Sequence, residues 1–228
     1  MGENLHHFEA LGVGVAAVLP FTRELSQTTA QEFFDLDLVG ALKASRIVVG
    51  HDFAFGKGRE GTPEWLSARI PTEVVPPFQL HGARVSSSAI RSAVEKGDVE
   101  EAARLLGRPF VVSGIVVAGQ KLGRKLGYPT ANLARSFDQV MPAHGIYIGF
   151  ATTPHGAFRT AVSIGTRPAV GGTERTIEAF LLDYPGHDLY GRSISLALHS
   201  RIRDEQHFDS LDDLKAQIAR DVALAASL

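Results

Sequence analysis

The chain has 228 residues, 44% hydrophobic and 21% charged, with Lys+Arg 23 against Asp+Glu 25. That suffices for one large domain or two small ones with a real core, and it leaves no net field to hold a nucleic acid by bulk charge. The absence of cysteine excludes disulfide scaffolds, thiolate zinc sites, thiol nucleophiles and iron–sulfur clusters, and agrees with a cytoplasmic location.

The apolar stretch 11–21 is too short to span a bilayer and follows no basic region, so no membrane segment and no signal peptide is expected. Within it, residues 13–19 (VGVAAVL) predict a strand. Thr29-x-x-Glu32 is a capping-box spacing ahead of Phe33, Phe34, Leu36, Val39 and Leu42, which predicts a helix. The β-branched run 46–49 then completes a strand–helix–strand unit with a parallel sheet.

Ligands of such sheets gather beyond the carboxyl ends of the strands, where residues 50–61 (GHDFAFGKGREG) lie. Gly56-x-Gly58-x-x-Gly61 has the form of a dinucleotide fingerprint. It does not follow its strand directly, however, and the residue 20 positions on is His81 rather than an acid, so a flexible glycine loop is the plainer reading. A strand at 73–75, the Pro76-Pro77 break, and helices over 86–96 and from Asp98 to the Gly107 stop complete the first half.

From residue 110 the texture changes to short runs rich in β-branched and aromatic residues: 110–117, 145–152, 158–164, 176–183 and 193–199. Five or six strands with glycine turns predict a small antiparallel barrel. Ser210-x-x-Asp213 caps a last helix whose Leu211, Leu214, Ile218 and Val222 form a stripe expected to pack on that barrel.

Residues 119–127 (GQKLGRKLG) place Gly119, Gly123 and Gly127 around Lys121, Arg124 and Lys125. Exposed backbone N–H groups with cations suit a polyphosphate, although the spacing is not a Walker loop and a basic hairpin in solvent would read the same. Behind Pro129, the Thr130 hydroxyl and Asn132 amide are hard, neutral oxygen donors of the kind magnesium takes on nucleotide phosphates; the alternative is a capped turn.

Glu178 shares a strand face with Phe180 and Leu182, where lost solvation would suit a general base, and where an ordinary edge glutamate would also fit. Residues 201–208 (RIRDEQHF) either hold a planar ring or form a surface ion-pair cluster. Among the nine histidines no HExxH pairing occurs, and no GxSxG elbow is present.

Taken in order, GQKLGRKLGYPTANL, SIGTRPAVGG, IEAFLLDYPGHDLYGR and RIRDEQHFDSLDDLKAQIARD resemble the riboflavin kinase domain, continuously from about residue 107 to the C-terminus. VVGHDFAFGKGREG with VSSSAIR resembles the nucleotidyltransferase half of the bacterial bifunctional riboflavin kinase and FAD synthetase. The resemblance implies an α/β, partial Rossmann-like nucleotidyltransferase domain over 1–106, followed over 107–228 by a six-stranded antiparallel Greek-key β-barrel with a C-terminal helix.

It also implies that Thr130 and Asn132 hold Mg2+ and the ATP phosphates, with Gly119, Lys121, Gly123, Arg124, Gly127 and Pro129 around the nucleotide. Glu178 would take the proton of the riboflavin 5′-hydroxyl, and Arg203, Glu205 and Phe208 would hold the flavin, giving FMN and ADP. Gly50, Asp52, Phe53, Phe55, Gly56, Ser87, Ser88 and Arg91 would be a vestigial adenylyltransferase site.

Gln120, Ala169 and Ala89 depart from the family's frequent Asp, Thr and Arg, and no HxGH occurs anywhere in the chain. FAD synthesis is therefore not expected, and by the resemblance the chain begins partway into its first domain, leaving an apolar sheet edge expected to self-associate. Retention of both activities, or flavin and nucleotide binding without turnover, are the alternatives.

Overall fold

The computed structural model describes residues 2–119, 122–135, 139–169 and 172–228. They form two compact units, Met1–Phe78 and Gln79–Leu228.

In the first unit come α1 (Gly2–Ala10), α2 (Arg23–Gln27) and α3 (Ala30–Glu32), the last running into a π-wound stretch, Phe33–Ala41. Thr29 caps as its spacing predicts: its hydroxyl accepts from the Glu32 N–H at 3.2 Å, and the Glu32 carboxylate accepts from the Thr29 N–H at 2.9 Å. β1 (Ile47–Gly50), α4 (Pro63–Ser67) and β2 (Thr72–Val75) follow. β1 and β2 are parallel, with Ile47 opposite Thr72 and Gly50 opposite Val75.

Phe34, Val49, Leu66 and Ile70 are the buried core of this unit. The strand expected over 13–19 does not form: the segment is irregular and exposed, with Val15 at 83%. Alternation in sequence supplies a strand's side chains but not the neighbouring backbone that must satisfy its N–H and C=O groups, and no described strand pairs with it.

The second unit opens with the hairpin β3 (Gln79–Leu80) and β4 (Ala83–Arg84), then α5 (Ser87–Glu95) and α6 (Val99–Leu106). Six strands follow: β5 (Phe110–Val117), β6 (Ala131–Ala134), β7 (Gly145–Thr153), β8 (Gly156–Ala169), β9 (Gly172–Leu181) and β10 (Ser193–Arg203). They close in the order β10-β5-β6-β9-β8-β7, every pair antiparallel. The one-turn helix α7 (Leu122–Leu126) connects β5 to β6, and α8 (Leu211–Ala226) ends the chain against β7 and β8.

The two units divide between Phe78 and Gln79, which groups α5 and α6 with the barrel. The reason is packing: Ala93, Val94, Val99 and Ala102 of α5 and α6 share one buried cluster with Phe110, Val112 and Leu196 of the barrel.

Period-two alternation decides what the barrel presents to its outside. Ile177, Ala179 and Leu181 of β9 point inward and are buried, which turns Glu178 and Phe180 outward toward the face that α8 covers. On α8, Val222 and Ala225 pack with Ile148, Leu182 and Phe180. Leu211, in the first turn, is 60% exposed and takes no part in the stripe expected of it.

Candidate functional site

β6 and β9 bring the sequence candidates together. Their register sets Asn132 opposite Glu178 and Ala131 opposite Ala179, so Asn132 and Glu178 share the outward face. Thr130 immediately precedes β6, behind the fixed backbone of Pro129, and its hydroxyl donates to Glu178 Oε2 at 3.0 Å. The Asn132 amide lies directly against Gly119, so close that a Cβ there would overlap it.

Within the basic glycine segment, Leu122–Leu126 form a helical turn. α7 carries Gly123 and Arg124, the Tyr128 N–H donates to the Gly123 carbonyl at 2.8 Å, and Gly127 has φ +90°. Lys121, expected beside the phosphates, lies outside the described residues, as does Gln120.

Two cavities flank this junction. The larger, about 660 Å³, is lined by Arg124, Pro129, Thr130 and the segment from Asp183 to Tyr190. The smaller, about 280 Å³, lies between the barrel wall and α8, and is lined by Gly123, Glu178, Arg203, Glu205 and Phe208 among others. Thr130 and Phe180 line both. Phe180 is fixed edge-on to Tyr128 at 5.3 Å between ring centroids. Ligands in the two cavities would therefore meet at Thr130, to which Glu178 of the smaller cavity is hydrogen-bonded.

The 201–208 segment carries ion pairs, one of them buried, and part of it lines a cavity. Arg201 pairs with Asp204, while Arg203 Nε and a terminal nitrogen reach the two oxygens of Asp221 on α8 at 2.9 and 2.6 Å. Arg203, Glu205 and Phe208 nevertheless line the smaller cavity. The Glu205 carboxylate lies over Gly165, where a Cβ would push it aside.

Sequence reasoning missed the wall of the larger cavity. Tyr184 packs edge-on to Phe158 at 5.0 Å, His187 lies tilted against His155 at 4.6 Å, and Asp183 holds a left-handed φ of +55°. Burial, with the Asp188 charge adding to it, pushes the Tyr184 phenol above its ordinary range. The signal was available: Pro185, Gly186 and Gly191 interrupt a connection between two strands that is too long for a tight hairpin.

In the first unit, Gly50 ends β1, and Asp52 and Phe53 follow in the turn. The glycine loop expected to be flexible is packed. Phe55 sits among Phe33, Phe53 and Trp65 with centroids 5.7 Å apart in each pair, and a Cβ on Gly56, at φ +75°, would lie 2.5 Å from the Ala30 nitrogen. Ser87, Ser88 and Arg91 fall on α5, in the second unit.

Among the described residues no group of three or more His, Asp or Glu side chains could hold a metal alone. Thr130 and Asn132, two neutral oxygen donors on one face, fit Mg2+, which takes few protein ligands and completes its shell with phosphate oxygens and water.

A family model described as riboflavin kinase matches residues 106–228, and another described as FAD synthetase matches residues 1–89. The bifunctional riboflavin kinase/FMN adenylyltransferase of Escherichia coli strain K12 is 40% identical over 228 residues, which cover 96% of this chain and 71% of the relative. The protein of the same name from Bacillus subtilis strain 168 is 31% identical over 226 residues, with the same two shares, 96% and 71%. A crystal structure described as a macrolide-efflux protein from Streptococcus pneumoniae superposes with a TM-score of 0.91 at 34% identity, covering 100% of this chain and 74% of that one. No helix among the described residues of this chain is long and apolar enough to cross a membrane.

Proposed function

The chain belongs to the bifunctional riboflavin kinase/FMN adenylyltransferase family and is a riboflavin kinase; from that premise we propose how its residues carry the transfer. ATP occupies the larger cavity, with Arg124 beside its phosphates, and riboflavin occupies the smaller, with Phe208 and Tyr128 against its rings. The γ-phosphate and the ribityl 5′-hydroxyl then meet at the shared wall. Glu178 accepts the hydroxyl proton as the oxygen attacks the γ-phosphorus; the bond from that phosphorus to the bridging oxygen breaks, and ADP leaves.

Thr130 keeps the Glu178 carboxylate aimed at this junction by donating to one of its oxygens. Mg2+, held by Thr130 and Asn132, would supply charge neutralisation of the phosphates. The observation that carries the reading is the 3.0 Å bond between Thr130 and Glu178 where the two cavities adjoin.

Residues 50–56 and the α5 residues Ser87, Ser88 and Arg91 are read as remnants of adenylyl-transfer machinery. Because the 228 residues contain no HxGH, FMN rather than FAD is the product expected from them. The first unit offers β1 and β2 as a two-stranded sheet with unpaired outer edges among the described residues, beside exposed Val48, Val74 and Val75, and is read as a self-association surface. The substrates and the lack of cysteine fit the cytoplasm.

The test is chromatography of the flavins after incubation with riboflavin, ATP and Mg2+. FMN alone is expected. No FMN would overturn the reading, and FAD would show that adenylyl transfer proceeds without HxGH.

A further inference from the structure

Asp221 is the only buried carboxylate among the described residues, at 4% exposure, and none of the candidate roles above uses it. Its two oxygens take four hydrogen bonds: a forked one from Arg203 Nε at 2.9 and 3.2 Å, one from an Arg203 terminal nitrogen at 2.6 Å, and one from Gln217 Nε2 at 2.9 Å. The other terminal nitrogen of Arg203 donates to the Asp204 carbonyl at 2.9 Å. Every nitrogen of the guanidinium is thus engaged by the protein before any ligand enters, and its orientation is fixed.

An ion pair this buried is poor evidence of stabilisation. Desolvating two charges offsets most of their attraction, and an apolar pair of similar volume is often as stable. What is particular here is its place: Arg203 and Asp221 both line the smaller cavity, with Glu178 and Phe208, and neither lines the larger one. A guanidinium held at a set angle offers a planar, cationic wall to an aromatic ring, whereas a free one would first have to be ordered by the ligand.

Resting on the kinase reading, we propose that Asp221 is a positioning residue for riboflavin: it acts through Arg203 to pre-organise the flavin cavity and leaves the nucleotide cavity untouched. The test uses the full chain as Asp221→Asn, as Asp221→Glu, and as the apolar pair Arg203→Met with Asp221→Leu. It measures steady-state kinetics, riboflavin binding by fluorescence quenching without ATP, and thermal unfolding.

For Asp221→Asn, the riboflavin KM and Kd are expected to rise on the order of tenfold while the ATP KM stays within about twofold; Asp221→Glu recovers part of the loss. The apolar pair is expected to unfold at or above the parent's temperature and still to bind riboflavin on the order of tenfold more weakly. Parent-like riboflavin affinity in Asp221→Asn or in the apolar pair would overturn the proposal, as would an apolar pair that fails to fold, since the role would then be structural. A parent that binds riboflavin without forming FMN would sink the kinase reading alone, because the binding comparison would still decide the role of Asp221.

Discussion

Tyr147 shows how a single side chain couples the barrel to pH. It is fully buried, and its hydroxyl donates to the Ala143 carbonyl at 2.6 Å. Burial pushes its phenol above the ordinary range, with the nearby Arg201 charge opposing. A raised folded value means that the neutral phenol is the form the fold favours. Its contribution is complete below the unfolded value, near pH 10, and is lost as pH rises through the folded one. Tyr147→Phe should cost about 1 kcal/mol at pH 7 through the lost hydrogen bond. It should also lose less stability than the parent between neutral and strongly alkaline pH, as read from urea unfolding at both. Residue types alone left Thr130 and Asn132 open to a capped turn and Glu178 to an ordinary strand edge; the family resemblance singled them out, and the β6–β9 register brings Asn132 and Glu178 opposite each other. The partner of Arg203 was not legible in the sequence, because Asp221 lies 18 positions away and meets it only once α8 folds back on the barrel.

Among the elements, the turn between α5 and α6 is closely packed against the barrel. Gly97 holds φ +80°, and a Cβ on it would stand 2.8 Å from both the Arg201 side chain and the Tyr147 hydroxyl. Gly97→Ala is therefore expected to destabilise by roughly 1 to 3 kcal/mol, visible as a lower thermal midpoint; an unchanged midpoint would mean that the hairpin is not seated there. Five barrel strands could be read from their β-branched and aromatic runs because each run is long enough to stand out. β6 could not: four residues behind a proline look like a turn until β5 and β9 pair with them. Residues 13–19 erred in the other direction, since an apolar run says nothing about whether a second backbone is available to it.

At the scale of the whole molecule, the resemblance in the second half extends over a closed barrel, and closure leaves no strand edge there. The first unit differs: both outer edges of its sheet are unpaired among the described residues, and Phe21, Val15 and Leu11 are each more than four-fifths exposed. Light scattering is expected to show mass above that of one chain at high concentration, and a clean monomer would count against the association surface. The sequence reading expected edge strands at 13–19 and 46–49, of which only the second forms, and did not foresee that α5 and α6 belong to the barrel's core, because their apolar faces are equally suited to any partner.

The claim on which the account rests is that Glu178 takes the proton of the attacking hydroxyl. Glutamine at this position keeps an acceptor for Thr130 while removing the basicity, so the decisive measurement is kcat for FMN formation by Glu178→Gln, with riboflavin and ATP binding followed in the same samples. The account predicts a fall of about 10² to 10⁴ in kcat with both affinities nearly unchanged. A variant that turns over at the parental rate would contradict it.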